Sequence, residues 1–278
     1  MKRLLSALLC LLAALLLCGA AAPPEAGEAP PVLEGYVFEA GKADAILLRT
    51  EHAAVLIDAG EKGFGRDIVA YCAENGIEKL DYLIVTHFDK DHVGGAARVL
   101  RELPVGQVLQ TGYAKSSKEY ENYCKALRRA GLEPVTVREE LRFTLDGVEF
   151  TVDPPRLERY ADSPSNNSSL IVTAACGDCR LLFCGDAENA RLLEFLSGEP
   201  GAFDFVKLPH HGAWHSALAV LLEETRPRCA VVTDSGEEPE SPKTQELLAR
   251  YEVEVFRTRD GAVLLSCDGA RVTLRREG

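Results

Sequence analysis

Residues 80–95, LDYLIVTHFDKDHVGG, set the tightest limit on what this chain can become. Leu80–Val85 is apolar almost without alternation, the pattern of a strand buried on both faces. His87, Asp89, Asp91 and His92 follow at once. A doubly covered strand belongs to a layered α/β core, so two imidazoles and two carboxylates arrive at the margin of that core. Groups of this kind are costly there unless something pairs with them. A bound cation is the natural partner.

Three other segments repeat the layout of an apolar strand that ends in a ligand-type residue. They are VLIDAG with Asp58, LLFCGDAE with Asp186 and FVKLPHHG with His210 and His211. Open sheets place their sites at strand C-terminal ends. Taken alone, Asp58 reads equally as a turn residue, Asp186 as the cap of the following helix and the His pair as loop polar groups. Together the four ends collect two or three imidazoles and several carboxylates, enough for two adjacent divalent ions. Four of the six His in the chain lie in just two of these loops.

The rest of the pattern predicts strands at 36–40, 45–50 and 53–58, a helix over 65–75 closed by Gly76, and a helix over 96–102. A strand at 107–110 and a helix over 116–130, stopped by Gly131, come next. Strands at 134–137, 142–145, 148–152, 170–175 and 180–184 follow, then a helix over 187–196, a strand at 205–208 and a helix over 217–225. The chain ends with a strand at 229–233, a helix over 242–251 capped by Ser241, a strand at 253–257 and a hairpin around Asp268-Gly269. Two halves that each run strands and then strand–helix alternation predict two mixed sheets packed face to face with helices outside, an αββα sandwich. No linker divides them, so residues 32–278 read as one domain.

Residues 1–22 read as an export leader: Lys2 and Arg3, an apolar run over Leu4–Leu17, then small residues to Ala22. Cleavage, lipid anchoring at Cys18 and an uncleaved anchor are the three readings of this segment. Residues 23–31, PPEAGEAPP, read as a stiff polar spacer. No later segment is apolar enough to span a membrane. Beyond the leader the seven cysteines are scattered and odd in number, which excludes a disulfide scaffold. Cys176-Gly-Asp-Cys179 reads as residues flanking a hairpin turn, as a local disulfide or as half of a zinc knuckle. The net charge of −12 argues against stable duplex binding, since phosphate neutralisation supplies most of that affinity.

The motifs resemble the metallo-β-lactamase superfamily, and within it the hydrolase domain at the C-terminus of the competence protein ComEC. THFDKDHVGG resembles its HxHxDH signature with Asp89 at the middle position. Gly41-Lys-Ala-Asp44-Ala45 is similar to that branch's GQGDA, Asn166-Asn-Ser-Ser169-Leu170 to its NxxSL, and the segment around Asp186 to its TGDAE. His210-His211-Gly212 with Ser216 is similar to its HHGS. Lys42, Ala43 and Ala213 depart from the branch pattern, and no His precedes Pro242. The resemblance implies an αββα metal-dependent hydrolase with nuclease or phosphodiesterase activity.

Residues and resemblance assign the same roles. His87 and Asp89, with His210 or His211, would hold a first divalent ion; Asp91 and His92 would hold a second, and Asp186 would bridge. The ions would be Zn²⁺ or Mn²⁺, with Mg²⁺ also open, and the carboxylate at Asp89 tilts the site away from Zn²⁺. Asp58 would orient a ligand imidazole. Asp91 would also orient the attacking water, His215 would serve the leaving group, and Asn166, Ser169 and Ser216 would hold substrate oxygens. The expected substrate is a phosphodiester, in DNA, oligonucleotides or small esters, met outside the cell. Rival readings are an exported esterase, lactonase or β-lactamase, a cell-wall phosphocholine esterase, a non-catalytic metal-binding module and a redox di-iron protein. The last usually carries a flavin domain, which this sequence does not show.

Overall fold

In the computed structural model the described residues run from 32 to 277, and the leader and spacer readings lie outside them. Two sheets pack face to face with helices on both outer sides, so the expected αββα sandwich is the observed fold. The first sheet has eight strands. In chain order they are β1 (Leu33–Val37), β2 (Ala45–Arg49), β3 (Ala54–Ala59), β4 (Leu80–Val85), β5 (Val105–Gln110), β6 (Val135–Thr136), β14 (Val263–Cys267) and β15 (Val272–Arg276). Their spatial order is β15-β14-β1-β2-β3-β4-β5-β6. The second sheet has β7 (Leu141–Leu145), β8 (Val148–Asp153), β9 (Ile171–Cys176), β10 (Cys179–Phe183), β11 (Phe205–Lys207), β12 (Cys229–Val232) and β13 (Glu254–Arg257), in the order β13-β12-β11-β10-β9-β8-β7.

Each sheet is antiparallel in one half and parallel in the other. The runs β3-β4-β5-β6 and β10-β11-β12-β13 are parallel. Parallel neighbours need crossover connections, which cover the outer faces and make the central strands apolar on both sides. The helices Gly65–Glu74, Ala96–Glu102 and Lys118–Ala130 cover the first sheet. Asn189–Leu196, Ala217–Thr225 and Pro242–Arg250 cover the second. Val55, Ile57, Ile84, Val172, Phe183 and Val231 meet in the layer between the sheets. This packing brings the C-terminal ends of β3, β4, β10, β11 and β12 to one rim. No helix among the described residues is long and apolar enough to cross a membrane.

Two local differences from the sequence reading shape the rim. Lys90–Val93 is a single helical turn, where the ligand-rich stretch reads as an open loop, and it turns Asp91 and His92 inward. Gly95 lets this turn dock: a Cβ there would come within 2.1 Å of the Ala59 carbonyl oxygen at the end of β3. Ser241 makes no side-chain capping bond to the helix Pro242–Arg250. Its amide instead donates to the Gly212 carbonyl at 3.1 Å, tying that helix to the His210–His211 turn.

Candidate metal centre

Asp58 ends the apolar run of β3 in the left-handed region, φ 57°, and is fully buried. That conformation, tolerated by Asp better than by most residues, turns the carboxylate across to β4. The Thr86 amide donates to Oδ1 at 2.8 Å and the Thr86 hydroxyl to Oδ2 at 2.7 Å. His92 Nδ1 lies 2.7 Å from the same Oδ2. The Thr86 oxygen, its proton committed to Asp58, then accepts from His87 Nδ1 at 3.2 Å. One carboxylate thus places the proton on Nδ1 of two imidazoles, directly for His92 and through Thr86 for His87. His211 reaches the same state separately: its Nδ1 lies 3.0 Å from the Thr233 carbonyl, which can only accept.

All three imidazoles therefore turn Nε2 towards Asp186, and in the neutral ring that atom carries the lone pair. His92 Nε2 is 3.2 Å from Asp186 Oδ1; His211 Nε2 is 3.4 Å from Oδ2 and 3.3 Å from Asp91 Oδ2; His87 Nε2 is 3.8 Å from Asp186 Oδ2. Asp91, His92, Asp186 and His211 form one group whose ligand atoms all lie within 4.8 Å of one another. The structure thus corrects one expectation. His211 joins Asp91 and His92 instead of the His87–Asp89 pair, because the left-handed backbone at His210 and His211 (φ 47° and 53°) aims neighbouring side chains in different directions. Asp186 faces both pairs. Its backbone amide donates to the Ser169 hydroxyl oxygen at 3.2 Å, which fixes the turn that carries it.

The electrostatics follow from burial against charge. Burial disfavours the His211 cation, but the carboxylates of Asp186, Asp91 and Asp44 outweigh it and raise its pKa to about 9. His92 is raised well above the usual value in the same way, with Asp186 and Asp58 overcoming burial. His87 goes the other way, to about 4, because burial and then the His92 charge disfavour its cation. Burial also opposes ionisation of Asp186 and Asp91, yet His211 and His92 hold both below the usual carboxylate range.

Asp89 has its own partners. Its Oδ1 accepts from Lys115 and Ser165 and lies 3.9 Å from His87 Nε2. His210 stands at the edge of the centre: Nε2 is 3.9 Å from Asp186, while Nδ1 is 3.1 Å from His215 Nε2 and 3.4 Å from Glu188. His215 therefore stands behind His210 and does not itself face the centre. Asn166 donates to Glu188 at 2.8 Å and reaches His210 Nε2 at 3.4 Å, on the rim. Two expected substrate contacts are not placed for that work. Ser169 is fully buried beneath the Asp186 amide. Ser216 donates to Asn189 Oδ1 at 3.0 Å, the oxygen that also accepts from the Ala217 amide at the start of the helix Ala217–Thr225.

Sequence reasoning missed the layer underneath. Asp44, buried just before β2, accepts from the Lys207 ammonium and from the Thr233 hydroxyl, the latter at 2.6 Å, and lies 3.5 Å from His211 Nδ1. Burial works against both charges of the Asp44–Lys207 pair, and each keeps the other ionised. The signal was a lone Lys in the apolar run FVKL, since a fully buried Lys needs a carboxylate. Arg191 is a second missed anchor. Fully buried, it donates to the Ser169 carbonyl at 3.0 Å and the Asp153 carbonyl at 2.7 Å.

The donor set fits divalent metal. His87 Nε2, His92 Nε2, His211 Nε2 and Asp186 Oδ1 are buried without a hydrogen-bond partner, a costly group of orphans unless a cation collects their lone pairs. Their separations of 3.2–3.8 Å are close to the roughly 3.3 Å between ligands around an ion with bonds of about 2.0–2.1 Å.

Comparisons with known proteins agree with this picture. The family model described as "Metallo-beta-lactamase superfamily" matches residues 39–233. "ComE operon protein 3" of Bacillus subtilis is 27% identical over 250 residues, covering 81% of this chain and 32% of the relative. "Competence protein ComA" of Neisseria gonorrhoeae is 29% identical over 214 residues, covering 74% of this chain and 28% of the relative. The chain thus spans about a third or less of these relatives. Among solved structures, the metallo-beta-lactamase fold protein YhfI from Bacillus subtilis superposes with a TM-score of 0.56 at 11% identity, covering 88% of this chain and 100% of that one. A diphosphatase of the PhnP family gives 0.51 at 15% identity, covering 85% and 97%.

Proposed function

The chain belongs to the metallo-beta-lactamase superfamily, and from that premise we propose that it is a metal-dependent phosphodiesterase acting outside the cell on single-stranded or short nucleic acid or on small phosphodiesters. The observation that carries this reading is the charge of the centre. Lys207 pairs with Asp44 and Lys115 with Asp89, which leaves Asp58, Asp91, Asp186 and, beside His210, Glu188 as carboxylates without a Lys or Arg partner. Two divalent ions would offset those four charges and so let the centre take up an anionic group. The oxygens of a phosphodiester gain more from paired cations than those of a neutral ester, lactone or amide.

Bound divalent ions would polarise the phosphoryl oxygens and make water a nucleophile near neutral pH. The chain's own groups supply the geometry. Asp58, Thr86 and Thr233 hold the three imidazoles by Nδ1, so that each neutral ring aims its Nε2 lone pair inward. Asp186 stands between the His87–Asp89 and the Asp91–His92–His211 groups. His210 presents Nε2 to the centre, where a departing oxygen can take a proton, and His215 with Glu188 supports the ring from behind. Asn166 offers an amide beside the same spot. One relative is named as a competence protein, and the resemblance supports nucleic acid as one substrate class; the net charge of −12 favours single strands over duplex. The leader-like residues 1–22 support an extracellular setting.

The test is metal analysis of purified protein with a substrate panel: bis-p-nitrophenyl phosphate, single- and double-stranded DNA, nitrocefin and a lactone. Phosphodiester turnover that is lost in His87→Ala and Asp186→Ala supports the reading. Turnover of nitrocefin or the lactone alone overturns it, and stoichiometric metal without turnover of any substrate assigns the chain to binding instead of catalysis.

A further inference from the structure

Three cysteines meet at the pole opposite the candidate metal centre. β9 ends at Cys176 and β10 begins at Cys179, and the two face each other across the Gly177-Asp178 turn. Cys267 ends β14 in the other sheet, at the end of that strand far from Asp44. The two hairpin tips are clasped. The Asp178 amide donates to the Gly269 carbonyl at 2.7 Å, and a Cβ on Gly177 would come within 2.3 Å of that same oxygen.

All three side chains point into the layer between the sheets and are at most 1% exposed. Cys267 Sγ lies 3.6 Å from the Cys176 carbonyl oxygen, and Cys176 Sγ lies 4.0 Å from the Cys267 carbonyl oxygen. The three thiols are near enough to influence one another's ionisation, Cys267 with both hairpin cysteines. Cys72, Cys124 and Cys184 lie outside this layer, and Cys229, which opens β12 within it, turns its thiol to the Asp204 carbonyl at 3.5 Å.

We propose that Cys267 is a disulfide-forming residue that joins the first sheet covalently to Cys176 or Cys179 of the second when the chain folds in the presence of a small-molecule disulfide. One protein thiolate attacks the small disulfide and releases one small thiol. The second protein thiol then displaces the other small thiol. Two protein S–H groups are lost, one protein S–S bond forms, and the small disulfide is reduced to two thiols. The third cysteine stays as a thiol beside the bond, so the bridge can exchange between Cys176 and Cys179. Burial pushes the Cys179 thiol to about 12 and the Cys267 thiol to about 11, so reaction belongs to folding and not to the finished structure. A bond to Cys267 closes a loop of about ninety residues, whereas a bond within the hairpin closes almost none; only the former restrains the unfolded chain strongly.

The experiment refolds reduced, denatured protein in a glutathione redox mixture and, in parallel, in dithiothreitol. Thiols are then counted in denaturant, and non-reducing digests are mapped by mass spectrometry. The expected result is a thiol count lower by two, a peptide carrying Cys267 linked to the segment with Cys176 and Cys179, and a melting temperature several degrees above the reduced form. Cys267→Ala removes both the linked peptide and the melting difference. A link confined to the Cys176–Cys179 segment, or an unchanged thiol count in correctly folded protein, overturns the proposal. The wild-type comparison decides the matter even where the variant fails to fold.

Discussion

Replacing Asp58 with Asn tests the whole arrangement of the centre with one atom. Asn keeps the side chain's size and tolerates the left-handed backbone at φ 57°, so the turn itself is preserved. What changes is the hydrogen-bond sense. Asp58 accepts from the Thr86 amide, the Thr86 hydroxyl and His92 Nδ1, all at 2.7–2.8 Å. An Asn oxygen can still serve the amide, but its NH2 group then faces His92 Nδ1 and the Thr86 hydroxyl. Each partner must become an acceptor. The His92 proton moves to Nε2, and the freed Thr86 hydroxyl turns to donate to His87 Nδ1, which moves that proton to Nε2 as well. Two of the three inward lone pairs are lost together.

Loss of such a carboxylate partner costs about 10–100-fold in metal affinity, or roughly 1.4–2.7 kcal/mol. Because two imidazoles change here, the upper end is expected. The metal-free fold loses one bond between a carboxylate and a charged imidazole, about 2–3 kcal/mol. Affinity is read by competition of Zn²⁺ and Mn²⁺ against a chromophoric chelator, tautomers by long-range 15N–1H correlation spectra of the imidazoles, and folding by circular dichroism. An Asp58→Asn protein that is folded, keeps its protons on Nδ1 and binds metal within twofold of wild type refutes the reasoning.

Further predictions concern charge and packing. Metal-free protein should be most stable near pH 6.5: His211, raised to about 9, adds stability that is complete below 6.5 and lost as pH climbs to 9, and His87, lowered to about 4, removes stability as pH falls from 6.5. The His211 contribution is about 3 kcal/mol, read from urea melts across pH. Metal affinity should rise with pH up to about 9 as His211 gives up its proton, visible as proton release in calorimetry. Asp89→His should tighten Zn²⁺ and weaken the response to Mn²⁺, and an unchanged preference would show that Asp89 serves Lys115 and Ser165 only. Arg191→Met should cost about 3–5 kcal/mol by stranding Asp153 and Glu194, measured by denaturant unfolding with wild-type metal stoichiometry at low denaturant.

The strands and helices were legible because period and punctuation agree locally. Ala96–Glu102 and Ala217–Thr225 have the bounds their sequence predicts, and Gly131 stops its helix at φ 68°. β1 was misplaced because its bounds are set by pairing Leu33 with Cys267, over two hundred residues away, and no local pattern carries that. The same reason separates the visible half of the site from the hidden half. His87, Asp91, His92 and Asp186 stand at strand ends, where sequence marks them. Asp44, Lys207 and Thr233 hold His211 through contacts between both sheets, and only the packing decides which of His210 and His211 they hold.

The ligands are divided between the sheets in a way that affects how the molecule matures. His87, Asp91 and His92 leave the first sheet, while Asp186 and His211 leave the second. Neither half of the chain owns a complete coordination set, so metal uptake reports that both sheets have formed and docked. The ion is then a checkpoint on assembly as well as a participant in chemistry. Two separately produced halves, cut in the connection between β6 and β7, should each bind metal weakly alone and recover wild-type affinity only when mixed.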